Sequence, residues 1–363
     1  MDPQESQVDS RAQFARYLVV APQGLGDSLE ATPFLAALKA ARPHSTIDVA
    51  VTRRGPKELF EGLDDLVSEV IFLPYWDAGL ATFMKDLLLK RWRPRYEMAF
   101  LMYPAARAEY QLLMRMFPSR RRYSHRYFDP SFSTLLWLNT DLVPIVKEHN
   151  VLQNLRLLSA AGIQHDVPDR YTVPSTWIAQ SERRENTIAL HVGTITHDGL
   201  GARRWPLERF IQIAARCAAS NFDVALLMGP SEREETLAVK AAVPETRIVE
   251  GTLAQIARFL STCSLVLTND SGIGHLAAGV GAPVISLFGP TAPWRHGPYG
   301  PNAHALRPST CPPCFDPKLL NTECALNINH RCLREEMTVE IVAAAMNDVL
   351  TVENRQTLNS GVG

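Results

Sequence analysis

Residues 265–290 read LVLTNDSGIGHLAAGVGAPVISLFGP. The apolar run Leu265-Val266-Leu267 predicts a buried strand, Asn269-Asp270-Ser271-Gly272 a turn, and His275-Leu276-Ala277-Ala278 a short helix of small residues. Gly281-Ala282-Pro283 stops that helix, and Val284 to Phe288 forms the next strand. A strand that hands Asp-Ser-Gly to a helix start leaves free backbone N–H groups, and the positive end of the helix dipole, at the strand's carboxyl end. That arrangement suits a phosphate, and Gly272 and Gly274 let the main chain approach a ligand with no Cβ in the way. An ordinary βαβ turn, with Asp270 or Ser271 serving only as a helix cap, accounts for the same residues.

Outward from this stretch the same alternation fills the chain. Tyr17 to Ala21 predicts the first strand, 22–28 a turn, and 29–41 a helix with Leu35 and Leu38 on its apolar face. Strands at 46–51, 69–73 and 98–102 alternate with helices near 79–90, 105–116 and 151–161. A polar stretch bearing Val167-Pro168 and Val173-Pro174 follows, and a domain boundary is expected near residue 175. Beyond it, strands at 187–192 and 224–228 and helices at 206–220, 231–243 and 253–263 lead back to the opening stretch. Strands alternating with helices of this length form parallel, doubly wound sheets. The expected organisation is a disordered lead-in over 1–13, an N-terminal domain over 14–175, a C-terminal domain over 176–336, a closing helix over 337–351 and a polar tail over 352–363. Two such domains facing one another leave a cleft at the carboxyl ends of both sheets.

Composition narrows the function classes. A chain of 363 residues is long enough for two cores, and 46% hydrophobic with 21% charged residues is ordinary for a soluble globular protein. A net charge of −1 supplies no general attraction to nucleic acid or to an anionic membrane. No apolar run approaches the roughly 18 residues that a spanning helix needs. The opening MDPQESQVDSRAQ is polar and acidic, unlike a signal or transit peptide, which predicts a cytoplasmic protein with reduced cysteines.

Two loops are expected to line the cleft. Gly24-Leu25-Gly26-Asp27-Ser28 is a partial dinucleotide fingerprint without a well-placed third glycine. Its sharper feature is the Asp27 carboxylate at a helix start, read either as a cap or as a reactive base. Residues 193–205, GTITHDGLGARRW, set Arg203 and Arg204 just before Trp205-Pro206. A guanidinium beside a helix start clamps a diphosphate without a metal, and a solvated basic pair is the plainer alternative.

Taken together, Gly26-Asp27-Ser28 with Pro33 and Leu38-Lys39, RRWP at 203–206, and NDSGIGHLAAGVGAPVISLFGPT at 269–291 resemble the ADP-heptose–lipopolysaccharide heptosyltransferases of glycosyltransferase family 9. The resemblance runs in order over roughly residues 16–350 and is most specific at 265–293. It implies a GT-B fold of two doubly wound, Rossmann-like α/β domains: an acceptor domain, a nucleotide-sugar domain, and a final helix packing back on the first. It also implies inverting, metal-independent transfer of a heptose from ADP-heptose to a lipopolysaccharide-core, glycan or protein acceptor. By that resemblance Asp27 is the catalytic base, Arg203 stands where the family has a phosphate-clamping lysine, and Asp270, Ser271, Gly272 and His275 bind the donor, with Arg204 beside them. The arginine at 203 and the glycine-rich loop 194–202 depart from the family pattern. The residue types suit the chemistry: a carboxylate takes the acceptor's proton while helix N–H groups and a cation stabilise the departing diphosphate. No metal-binding acidic pair is well placed, since Asp64-Asp65 sits in a polar loop. A nucleotide-sugar epimerase on the same fold, and a non-catalytic nucleotide-sugar-binding protein, are the competing readings.

Cysteines and arginines make two further clusters. Cys217 and Cys263 lie in apolar stretches and read as core residues, as do Trp76, Trp92 and Trp137 in the core or at a domain edge. Cys311, Cys314, Cys324 and Cys332 have the ligand count and compactness of a structural Cys₄ zinc or iron site, with unligated thiols as the alternative. The autotransporter branch of the family, which holds iron on four cysteines, resembles this segment most. Ser119 to Arg126, SRRRYSHR, is a strongly basic run. It reads either as a solvated loop or, through Arg120 and Arg121, as a contact for an anionic glycolipid acceptor or for lipid headgroups at the inner membrane face. Arg107 is a separate acceptor candidate, and the oligomeric state is left open.

Overall fold

The computed structural model describes residues 15–74, 85, 95–127, 135–180, 185–194, 203–314, 324 and 330–360. The lead-in over 1–13, the helix expected near 79–90 (apart from Lys85), Trp76, Trp92 and residues 195–202 lie outside them. The chain divides into two units, Met1–Pro174 and Ser175–Gly363.

In the first unit the order is β1 (Arg16–Val20), α1 (Leu25–Ala41), β2 (Thr46–Val51), α2 (Arg54–Glu61), β3 (Glu69–Phe72), β4 (Tyr96–Leu101), α3 (Ala108–Arg115), β5 (Ser119–Arg126), β6 (Asp141–Pro144) and α4 (Asn150–Ala160). The strands make one six-stranded sheet in the order β3-β2-β1-β4-β5-β6, and every pairing is parallel. The order reverses between β1 and β4, so the loops leaving these two strands diverge and open a crevice at their carboxyl ends. Leu18, Val20, Ala50, Ala99 and Leu101 on one face of the sheet bury Tyr110, Leu113 and Met114 of α3. On α1, Glu30 is only 1% exposed, and Asn150 of α4 donates to its carboxylate at 2.9 Å, an interhelical polar contact inside an apolar layer.

Three sequence expectations change here. Helix α1 begins at Leu25, one turn earlier than the expected 29–41, which moves Asp27 out of the turn and into the first turn of the helix. The basic run is not a loop but strand β5, buried at Tyr123, Ser124 and His125 and exposed at Arg120, Arg121 and Arg126. Its polar first half hid a strand whose apolar face is short. Trp137 is no core residue either, being 77% exposed on a short turn at Leu136–Leu138.

The second unit repeats the plan. Its order is β7 (Glu185–His191), α5 (Leu207–Ala219), β8 (Asp223–Leu227), α6 (Arg233–Ala242), β9 (Arg247–Val249), α7 (Leu253–Leu260), β10 (Cys263–Asn269), α8 (Gly272–Gly279), β11 (Val284–Leu287), α9 (Pro293–His296), β12 (Ala303–Leu306) and α10 (Val339–Ser360). The six parallel strands lie in the order β12-β11-β10-β7-β8-β9, so the reversal falls between β7 and β10. Two doubly wound α/β units are thus what the alternating pattern predicted.

The first half of the closing helix belongs to the second unit. Val342, Met346 and Val349 of α10 are buried with Ile188, Leu190, Phe210, Leu265 and Leu267, inside the second unit's own core. The helix also continues to Ser360, through residues expected as a tail. Its approach is fixed from α5 and the loop before it: Trp205 Nε1 donates to the Met337 carbonyl at 2.7 Å, and Arg209 donates to the Leu333 carbonyl at 3.1 Å. Among the described residues no helix is long and apolar enough to cross a membrane.

Candidate functional site

Strand β10 ends in Thr268 and Asn269, both fully buried, and passes through Asp270 to Ser271, the N-cap of α8. Ser271 has extended backbone, and its side chain makes no capping hydrogen bond. The Gly272 and Ile273 N–H groups stand too early to bond within the helix, whereas the Gly274 N–H donates to the Ser271 carbonyl at 3.1 Å, so the helix start presents positive potential at the carboxyl edge of the sheet. Gly274 lets this helix lie directly on its sheet, because a Cβ there would fall 2.4 Å from Ser286 Oγ.

Asn269 joins three loops at this edge. Its Oδ1 accepts from the Trp205 backbone N–H at 2.9 Å, and its Nδ2 donates to the Val192 carbonyl, beyond β7, at 2.8 Å. Thr194 Oγ1 adds a bond of 2.8 Å to the Asp270 carbonyl. The arginine loop, the loop after β7 and the start of α8 are therefore tied around one point at the topological reversal.

Arg203 and Asp270 meet there, with Arg203 Nη1 3.7 Å from Asp270 Oδ2 and the Thr291 hydroxyl donating to the same oxygen. Burial pushes the Asp270 carboxyl above its ordinary range, while the Arg203 charge and the Thr291 hydrogen bond pull the other way. Arg203 retains 32% of its side-chain exposure, which leaves it able to reach a second anion. Arg204 faces elsewhere: it pairs with Glu235 on α6 and donates to the Thr194 carbonyl at 3.4 Å, bracing the loop. His275 is buried at the fourth position of α8.

Sequence reasoning missed a buried polar chain behind Ser271. His191, at the end of β7, has Nδ1 3.3 Å from Ser271 Oγ and 3.1 Å from Thr268 Oγ1, and its Nε2 lies 3.1 Å from Glu232 Oε1. Glu232 Oε1 also accepts from the Gly229 N–H at 3.0 Å, and Oε2 accepts from the Ser231 hydroxyl. Burial works to raise the Glu232 carboxyl, yet the hydrogen bonds from His191 and Ser231 prevail and hold it at about 2, so it is ionised. Gly193 makes room for it, since a Cβ there would lie 2.8 Å from Glu232 Cδ. A histidine ending a strand and a lone Pro-Ser-Glu carry no motif; only the fold joins them.

On the first unit, Asp27 sits half-buried in the first turn of α1, just past the carboxyl end of β1. Two tyrosines from the neighbouring loop and helix lie within electrostatic reach of it. Tyr110 is pushed up to about 12 by burial, with Arg107 opposing and Glu109, Arg53 and Asp27 also contributing. Tyr127 is pushed higher still by burial, and its hydroxyl accepts from the Ala105 N–H at 2.7 Å. Arg107 caps α3 after β4 and pairs with Glu109 at 2.6 Å, on the same edge of the sheet as Asp27. Arg120 and Arg121 lie near the amino end of β5, about five residues of strand from that edge, on the order of 15 Å. They pair with Glu97 at 3.1 Å and with Asp141 at 2.5 Å. The structure brings Arg107 to Asp27's edge and leaves Arg120 and Arg121 away from it.

Cys311 and Cys332 are buried in the second unit's core with Leu333 and Met337. Burial pushes the Cys332 thiol up to about 11, with nearby Cys311 and Cys314 adding to the effect. Among the described residues, no group of three or more His, Cys, Asp or Glu side chains is gathered to hold a metal ion. The four cysteines of the expected Cys₄ centre are therefore not gathered as a metal-binding group among the described residues, and most of the segment around Cys324 lies outside them.

With this geometry in place, comparison with known proteins is specific. The sequence model of glycosyltransferase family 9 (heptosyltransferase) matches residues 95–323. Lipooligosaccharide heptosyltransferase 2 of Haemophilus influenzae is 23% identical over 314 residues, covering 80% of this chain and 88% of that protein. Lipopolysaccharide heptosyltransferase 2 of Escherichia coli K12 is 22% identical over 311 residues, with the same coverage of 80% and 88%. The solved structure of E. coli heptosyltransferase WaaC with ADP-2-deoxy-2-fluoro heptose shares the fold, with a TM-score of 0.69 at 19% identity over 92% of this chain and 99% of that one. Two parallel-sheet units with a phosphate-ready helix start, joined to a family match over well more than half its length, place this chain in glycosyltransferase family 9, the heptosyltransferase family.

Proposed function

We propose that this protein transfers a heptose from ADP-heptose to a lipopolysaccharide-core acceptor, with inversion at the anomeric carbon and without a catalytic divalent ion. The observation that carries the reading is the open first turn of α8 with Arg203 beside Asp270, a cationic, N–H-lined seat for a diphosphate on the second unit. The names of the relatives, and the ADP-heptose analogue bound to the WaaC structure, support the choice of sugar and acceptor class.

In the reaction the acceptor hydroxyl attacks the anomeric carbon as Asp27 takes its proton. The bond from that carbon to the diphosphate oxygen breaks on the opposite face, and ADP departs with the electron pair. Arg203 and the N–H groups at Gly272 and Ile273 meet the charge that develops on the leaving oxygen, which is the work otherwise done by a divalent ion. Arg204 and Asn269 hold the loops that carry these groups.

The test is release of ADP from ADP-heptose, with and without a lipid-A–Kdo acceptor. Acceptor-dependent release is expected. Release that ignores the acceptor, or binding with no turnover under any acceptor condition, would favour the epimerase or binding-protein readings instead.

A further inference from the structure

In the first unit, residues 103–107 carry the chain from the carboxyl end of β4 to α3, at the reversal between β1 and β4. Loops at a sheet edge ordinarily meet water, which takes up the backbone groups that no ladder uses. Here side chains do so instead. The Tyr103 N–H donates to Asn154 Oδ1 of α4 at 2.8 Å, and Gln23 Nε2 donates to the Pro104 carbonyl at 2.6 Å. The Ala105 N–H donates to the Tyr127 hydroxyl at 2.7 Å, and Gln111 Nε2 of α3 donates to the Ala105 carbonyl at 3.1 Å. Each direction is fixed, because a backbone N–H can only donate and a carbonyl can only accept. Asn154 and Gln111 are fully buried, and the Tyr127 ring stacks on that of Tyr103, 10° from parallel with centroids 6.0 Å apart. The loop leads into Arg107, the N-cap of α3, whose carbonyl accepts from the Tyr110 N–H at 3.1 Å.

The tie from Gln23 joins two loops that each present a charged group. Gln23 lies in the loop after β1, four residues before Asp27. Thr52, just past β2, holds the same loop by donating to the Pro22 carbonyl at 2.6 Å. Gln23 thus links the segment that presents Asp27 to the segment that presents Arg107, across 81 residues of sequence at the contact. Tyr110 lies within electrostatic reach of both charges. We propose that Gln23 is a positioning residue for the acceptor: by holding the two loops at a fixed spacing, it sets the Arg107 guanidinium against an anionic group of the acceptor sugar while Asp27 faces the reacting hydroxyl. A guanidinium recognises an anion through charge-assisted hydrogen bonds, and a sugar held at two points keeps one hydroxyl at the base. A loop fastened beforehand spares the acceptor the entropy of ordering it.

The inference rests on the role proposed above for Asp27, and its test separates the two. Initial rates are measured against lipid-A–Kdo at saturating ADP-heptose, and ADP affinity by calorimetry, for the wild type, Gln23→Ala, Gln23→Glu, Arg107→Ala and the Gln23→Ala/Arg107→Ala double variant. Gln23→Glu keeps the size of the side chain, but its carboxylate has no proton for the Pro104 carbonyl, and it reads the same contact should Gln23→Ala fail to fold. Each single Gln23 variant is expected to raise the acceptor KM by about tenfold, the loss of one hydrogen bond, with ADP affinity unchanged. In the Arg107→Ala background Gln23→Ala should add less than about twofold, because the group it places is gone. An unchanged acceptor KM in a folded Gln23 variant, a matching loss of ADP affinity, or single effects that multiply in the double variant would overturn the inference. A wild type that transfers no heptose would instead overturn the transfer reading. The holding is then read by hydrogen exchange alone: Gln23→Ala should speed exchange of the Tyr103 and Ala105 amides severalfold, and unchanged protection there would overturn the inference as well.

Discussion

Asn269→Ala removes the residue that ties the donor loops together, and its cost follows from two hydrogen bonds. Asn269 is fully buried and bonds the Trp205 N–H at 2.9 Å and the Val192 carbonyl at 2.8 Å. Truncation leaves both backbone groups without that partner in a site too enclosed for easy hydration. Each group costs about 1–3 kcal/mol when stranded, so a loss of about 2–6 kcal/mol from the second unit's stability is expected. Trp205 follows Arg203 and Arg204, so slackening its anchor should also weaken ADP binding, by about tenfold. Asn269→Asp sharpens the test. It keeps an acceptor for Trp205 but sets a second carboxylate oxygen against the Val192 carbonyl, and should cost at least as much as alanine. Urea unfolding gives the stability and calorimetry gives the affinity. An alanine variant within about 0.5 kcal/mol of wild type, with unchanged ADP affinity, would refute the reasoning.

Asp27→Asn should lower turnover by about 10²–10⁴-fold with little change in ADP affinity, and near-wild-type kcat in that variant would remove Asp27 from the chemistry. Arg203→Ala should weaken ADP binding by about 1.5–3 kcal/mol, the range for a charge-assisted hydrogen bond, whereas unchanged calorimetry would place the clamp elsewhere. Glu232 titrates near 2 in the folded protein against an ordinary 4.5, so it binds fewer protons folded than unfolded. Its contribution is present above pH 4.5 and is lost as pH falls toward 2; Glu232→Gln should flatten that part of the stability profile, and an unchanged acid limb would count against the buried His191–Glu232 contact.

The fold was legible wherever burial wrote an unbroken apolar run. Leu265 to Leu267 and Val284 to Phe288 read as central strands because both their faces are covered, and β10 and β11 are there. Strand β5 was not legible, because three arginines fill its opening half and its pairing with β4 and β6 comes from the sheet rather than from its own pattern. The proposed diphosphate seat was half visible. Asp270, Ser271, Gly272 and Arg203 announce themselves as a turn before a helix and a cation before another. His191 and Glu232 are distant in sequence, and they and Asn269 acquire their roles only at the reversal between β7 and β10. The cysteine spacing suggested a centre that is not found among the described residues, which leave out most of the segment around Cys324. Arg204, adjacent to Arg203 in sequence, pairs with Glu235, a contact its position before a helix does not announce.

The central claim is heptose transfer, and the product tests it most directly. Purified protein is incubated with ADP-heptose and a lipid-A–Kdo acceptor in the presence of EDTA, and the glycolipid is analysed by mass spectrometry and by NMR at the new anomeric centre. The account predicts a heptose added to the acceptor, one ADP released for each, and an anomeric configuration opposite to that of the donor. An unmodified acceptor, a retained configuration, or transfer abolished by EDTA would contradict it.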